Sequence, residues 1–158
     1  MTFFHKEPCM TIRFSKRAAS LLLVIFLILP IFSACGRRIT LNDASYTMGR
    51  FFTELGRGDY DAVSRLMHPS LGITEGNVTN YISELEGELG VSLADGISNV
   101  RYTSYEELPY NGAIGGSKFR IYGTLNIGST GGIPFALSFK MDSDGYGITV
   151  VDIDGVDL

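Results

Sequence analysis

Lys118-Phe119-Arg120-Ile121-Tyr122-Gly123-Thr124-Leu125-Asn126-Ile127 alternates polar and apolar side chains. Successive side chains of a strand point to opposite faces of its sheet, so this period of two predicts a strand with one dry face and one wet face. Phe119, Ile121, Leu125 and Ile127 belong to the dry face; Lys118, Arg120, Tyr122, Thr124 and Asn126 belong to the wet one. Ile133 to Met141 repeats the pattern, with Ile133, Phe135, Leu137, Phe139 and Met141 against Pro134, Ala136, Ser138 and Lys140. Ser129-Thr130-Gly131-Gly132 between these two strands, and Asp142-Ser143-Asp144-Gly145 after the second, are hairpin connections. Val100–Tyr105 before them and Tyr146–Ile153 after them complete a four-stranded antiparallel meander, apolar on one face only.

Upstream the period becomes helical. Ala44, Met48, Phe51 and Leu55 recur at spacings of four, three and four, with a cap at Asn42 or Asp43 and a stop at Gly56 and Gly58. Asp59 starts a second helix, with Tyr60, Val63 and Met67 on one face. It is expected to run to Pro69, placing Arg65 and His68 at its negative dipole end. A third begins near Thr74, carries Val78, Ile82, Leu85 and Leu89 on one face, and ends at Gly90. Three apolar helix stripes and one dry sheet face must cover each other. The expected fold is α+β: three N-terminal helices on a curved four-stranded sheet, over residues 43–158. Phe51, Leu55, Leu85, Phe119, Ile121, Leu137 and Phe139 are its expected core, with Lys118, Arg120 and Lys140 on the far face.

The first 34 residues have another character. Lys16 and Arg17 precede Leu21–Phe32, twelve apolar residues interrupted by Pro30, then small residues. That is the plan of a secretory signal peptide, and the run is short of the ~20 residues of a spanning helix. Met10 to Arg17 makes a compact basic start, so translation from Met10 is an alternative to Met1. Phe32-Ser33-Ala34-Cys35-Gly36 resembles the lipobox of bacterial lipoproteins, with Phe32 in place of the usual Leu. The resemblance implies cleavage before Cys35, lipid on its thiol, a tether over 35–42 and residence at the extracytoplasmic face of the cell membrane. An uncleaved signal anchor from Ala18 to Gly36 is the alternative. Cleavage would leave Cys35 as the one cysteine, excluding an internal disulfide and a cysteine-built metal site.

From Cys35 onward the chain carries nine Lys or Arg and sixteen Asp or Glu, a balance of −7. That argues against a nucleic-acid-binding surface. The helix–helix–helix–meander order, with Phe51-Phe52-Thr53-Glu54-Leu55-Gly56-Arg57-Gly58-Asp59-Tyr60-Asp61-Ala62, resembles the nuclear-transport-factor-2-like (cystatin-like) fold over residues 43–154. The closing strand Ile148–Ile153 is similar to that of the family, without its usual Trp. The resemblance implies a cone of curved sheet and helices around a cavity, and small uncharacterised bacterial lipoproteins as the nearest type.

Sites are sparse. Members of this superfamily that are enzymes place Asp, His or Tyr in the cone, which makes His68 and Asp152 catalytic candidates. His68 is more simply a helix-terminal charge, and Asp152 a strand-end carboxylate in water; Asp152 enters the cone only if it shares a face with Ile148 and Val150. Tyr81, Tyr102, Tyr105 and Tyr122 are candidates to line a ligand cleft. Asp142–Ile153 fails as a calcium loop, because Ile153 stands where the bidentate Glu belongs. Gly112–Gly116 and Gly128–Gly132 fail as phosphate loops. No cofactor or metal is expected. A ligand-binding or protein-interaction module is the leading expectation, its partner a small apolar ligand, a cell-wall component or an envelope protein. A small isomerase, dehydratase or hydrolase using His68 or Asp152 is the alternative, and a structural accessory domain a third.

Overall fold

The computed structural model describes residues 38–112 and 116–158. The leader, Met10, Cys35 and the centre of the Gly112–Gly116 loop lie outside the described residues.

The chain is α+β, with helices first and sheet second. Helix α1 spans Leu41–Arg57, and its cap is Thr40, two or three residues before the expected position. Thr40 Oγ1 accepts from the Asp43 N–H at 3.2 Å, and Asp43 Oδ2 accepts from the Thr40 N–H at 3.1 Å. This reciprocal capping box satisfies two N–H groups that a helix start leaves open. Ile39, just before it, is buried, and its N–H donates to Ser117 Oγ. The packed domain therefore reaches back to Ile39, ahead of residue 43. Gly58 ends α1 in the left-handed conformation, φ 71°.

Helix α2, Tyr60–Ser64, is capped by Asp59 and is shorter than its sequence pattern predicts. After Ser64 the chain runs beside the last long strand instead of coiling on to Pro69. The Ile148 N–H donates to the Leu66 carbonyl at 2.9 Å, and the His68 N–H donates to the Ile148 carbonyl at 2.7 Å. Met67 and Ile148 thereby form a parallel bridge. Gly147 permits the approach, since a Cβ there would stand 2.6 Å from the His68 N and Cα. The lack of a side chain at Gly147, far along the chain, thus decides where α2 stops. Pro69–Leu71 is a single 3-10 turn. Helix α3, Glu75–Leu89, has a second capping box, Thr74 with Asn77, and buries Val78, Tyr81, Ile82 and Leu85.

Five antiparallel strands follow in sequential order: β1 Ile97–Leu108, β2 Ser117–Ile127, β3 Thr130–Asp142, β4 Gly145–Ile153 and β5 Val156–Asp157. The short β5 is one strand more than the expected four; it folds back on β4 after a turn at Asp154, φ 55°. The faces separate as the alternation predicts. Phe119, Ile121, Leu125, Ile127, Ile133, Phe135, Leu137 and Phe139 are all buried with Phe51, Phe52, Leu55 and Leu85, while Lys118 is exposed and Arg120 and Lys140 half-buried. Gly123 sits on the dry face because the Phe135 ring and the Arg101 carbonyl occupy the space of a side chain. That ring in turn packs on Phe52, centroids 4.7 Å apart.

Strand β4 breaks the simple alternation. Ser138 pairs with Val150 but Phe139 with Ile148, so Thr149 is an extra residue in a bulge. The bulge turns both Ile148 and Val151 inward and sends Asp152 outward.

Candidate functional site

Pinned by its own backbone to β4, His68 leaves the surface entirely; its side chain has no exposed area. The expectation of a solvated helix-end charge does not hold, because α2 stops before reaching it. The Ser70 N–H donates to His68 Nδ1 at 3.2 Å, so Nδ1 is an acceptor and, in the neutral ring, Nε2 carries the proton. Ser70 Oγ lies 2.7 Å from the same Nδ1. On the other side Nε2 stands 3.2 Å from Asp142 Oδ1, close but off the direction of a hydrogen bond. The Asp142 carboxylate is itself 8% exposed and forms an ion pair with Lys140. The Lys140 ammonium hydrogen-bonded to it is the main cause that holds the Asp142 carboxyl at about 2; the Asp144 N–H and His68 act the same way.

Serine, imidazole and carboxylate in a row are the parts of a nucleophilic triad. The arrangement here supports a different role. Ser70 and His68 are two residues apart and close one turn, so the contact is the cap of the Pro69–Leu71 turn. Of four surface clefts of about 180–410 Å³ walled by described residues, none has His68, Ser70 or Asp142 in its wall. A buried base and a serine outside these clefts, closing one turn together, form a joint between the α2 exit and the β3–β4 hairpin.

Asp152 lies on the wet face, where Oδ1 accepts from the Gly155 N–H at 2.8 Å and shapes the turn into β5. It does not share the face of Ile148. The four candidate tyrosines do not meet in one place. Tyr81 is buried in the core, its hydroxyl donating to the Val156 carbonyl and its pKa pushed far up by desolvation. Tyr102 and Tyr105 are exposed on the edge strand β1, with Tyr105 stacked on Phe119 at 5.5 Å. Tyr122 is on the wet face, where its hydroxyl donates to Glu106 Oε1 at 2.6 Å.

Two other tyrosines, Tyr46 and Tyr146, do share a cleft. It has a volume of about 380 Å³ and is walled by Asn42, Asp43, Tyr46, Thr47 and Arg50 of α1, by Arg65 and Leu66, and by Tyr146 and Gly147 of β4. The Tyr146 ring stacks on the buried Phe139, centroids 6.3 Å apart. Its hydroxyl donates to Thr47 Oγ1 at 3.1 Å, and that hydroxyl donates to the Asp43 carbonyl at 3.0 Å. Burial is the main cause that raises the Tyr146 pKa above its ordinary value, so the phenol stays neutral. This chain of hydroxyls fixes the cleft floor. Tyr46, at the rim, is 70% exposed. Asn42, Tyr46 and Arg50 recur every four residues, a helical face legible in the sequence. The opposite wall lies about 100 residues on, and no local pattern announces it.

Among the described residues no group of His, Cys, Asp and Glu is arranged to hold a metal ion, and no helix is long and apolar enough to cross a membrane. In comparison with known proteins the chain matches no family model and no curated sequence.

Proposed function

We propose that the domain is a ligand-binding or protein-interaction module of the nuclear-transport-factor-2-like (cystatin-like) kind, held at the extracytoplasmic face of a membrane by lipid on Cys35. The helix-first order, the Gly58-Asp59-Tyr60 turn and the one-sided meander support this architecture, with the sheet wrapping the helices as a cone. One observation carries the binding reading. Phe51, Phe52, Leu55 and Leu85 occupy the dry face of the sheet, whereas a cleft of about 380 Å³ opens beside it between α1 and β4. A space of that size takes a small molecule or a few side chains of a partner. Its mixed polar and aromatic wall favours a polar cell-wall fragment or an envelope protein over a purely apolar ligand.

A thermal-shift screen of the full chain in neutral detergent tests the reading, since a ligand that binds only the folded state raises its melting temperature. Compounds that stabilise the wild type and lose their effect in Tyr46→Ala support it. Compounds equally effective on both forms place the site elsewhere.

The hydrolase reading rests on the 2.7 Å contact of Ser70 Oγ with His68 Nδ1. A fluorophosphonate probe discriminates: labelling of Ser70 that is lost in His68→Gln establishes an activated serine, and no labelling removes this alternative.

A further inference from the structure

We propose that the α1–β4 cleft recognises a phosphate group carried on a small ring or polyol body. This deepens the binding reading above and rests on it. The cleft has the opposite charge to the domain around it. Its wall holds Arg50, Arg65 and Asp43, a balance of one positive charge, in a domain of −7. The single acid is committed to structure: Asp43 Oδ2 accepts from the Thr40 N–H and from the Thr40 hydroxyl at 2.8 Å.

The two guanidinium groups are available. Among the described residues no carboxylate pairs with Arg50. Among the same residues Arg65 pairs with Asp61 alone, and both side chains are more than half exposed, so an incoming anion competes with a weak, solvated contact. Two guanidinium groups on separate segments, one on α1 and one after α2, can each offer a fork of N–H donors to the oxygens of a tetrahedral anion. The body of such a ligand would meet aromatic surface. Tyr46 stands one helical turn before Arg50 and is 70% exposed, while Tyr146 forms the floor.

Phosphate of this kind has two sources, a free phosphorylated small molecule and the headgroup of an anionic lipid. Leu41 follows Cys35 by six positions, so a lipid anchor would hold the α1 start within about 20 Å of the bilayer. Headgroups are then within reach of the cleft.

The test is titration of the full chain in neutral detergent micelles with phenyl phosphate, and in parallel with the uncharged phenyl glucoside. The proposal expects phenyl phosphate to bind, about tenfold or more weakly in Arg50→Gln and in Arg65→Gln, and more weakly as salt is raised. Arg57→Gln, on the same helix but outside this cleft, should bind as wild type does. Displacement by short-chain phosphatidylglycerol in the same micelles identifies a headgroup site; displacement by a sugar phosphate alone identifies a soluble ligand. Equal affinity for the glucoside, or indifference to both arginine substitutions, overturns phosphate recognition and leaves the cleft as a binding site. Binding of neither compound, with no stabilising compound in the thermal screen, overturns both readings.

Discussion

Gly147 faces the His68 backbone so closely that a Cβ would stand 2.6 Å from its nitrogen. Through this contact the α2 exit becomes a ribbon beside β4, and His68 is carried inside. Gly147→Ala should therefore destabilise the fold by about 1–3 kcal/mol, the usual cost of overfilling a packed site. Gly49→Ala provides the contrast: its Cβ would meet nothing within 4 Å, inside α1, so it should stabilise by roughly 0.5–1 kcal/mol. Urea denaturation measures both. Two effects of the same sign would contradict the account of Gly147.

Asp142 predicts an acid limb in the stability curve. Its carboxyl titrates at about 2 in the folded chain, chiefly because of Lys140, against about 3.9 unfolded. A depressed folded pKa contributes stability that is fully present above the unfolded value, and it is lost as pH falls from about 4 to about 2. The same contact raises the Lys140 pKa, so the lysine part is present below about 10.5 and lost as pH rises through the folded value. In denaturation series across both windows, Asp142→Asn should flatten the acid limb. An acid limb as steep as that of wild type would show that other carboxylates produce it.

Phe139 is fully buried and stacked on Tyr146, directly beneath the cleft floor. Phe139→Ala should cost about 3–5 kcal/mol. Lys118→Ala, one strand away on the wet face, should stay within about 0.5 kcal/mol. Similar losses for the two would overturn the division of the sheet into dry and wet faces.

The periodic elements were the legible part of this chain. Phe51 and Leu55 in α1, Leu85 in α3, and Phe119 to Phe139 across the central strands follow from local spacing, because each pattern is long and uninterrupted. His68, Asp152 and the cleft were not legible, each for a physical reason. The position of His68 depends on the missing side chain of Gly147. Asp152 faces outward because Thr149 bulges out of register. The cleft joins Tyr46 and Arg50 to Tyr146 and Gly147 through tertiary packing alone. Thr40 does not stand out as a cap in the sequence because Asn42 and Asp43 are equally good capping residues two or three positions later; the bond from the Thr40 N–H to Asp43 Oδ2 decides it.

The anchor has its own test. Metabolic labelling with a fatty acid should mark the wild-type chain and leave Cys35→Ser as an unlabelled full-length precursor. Equal labelling of the two would remove the lipoprotein reading, and with it the argument that headgroups lie within reach of the cleft. More than one acyl chain is expected, since a single chain anchors only marginally.

Backbone amide shift mapping of the full chain, titrated with compounds that stabilise it, tests the central claim most directly. The account predicts shifts that cluster at Tyr46, Thr47, Arg50, Tyr146 and Gly147, with the amides of Ile121 and Leu137 beneath the helices unmoved. Shifts centred on Tyr102 and Tyr105, on Ser70, or among the residues of the dry sheet face would contradict it.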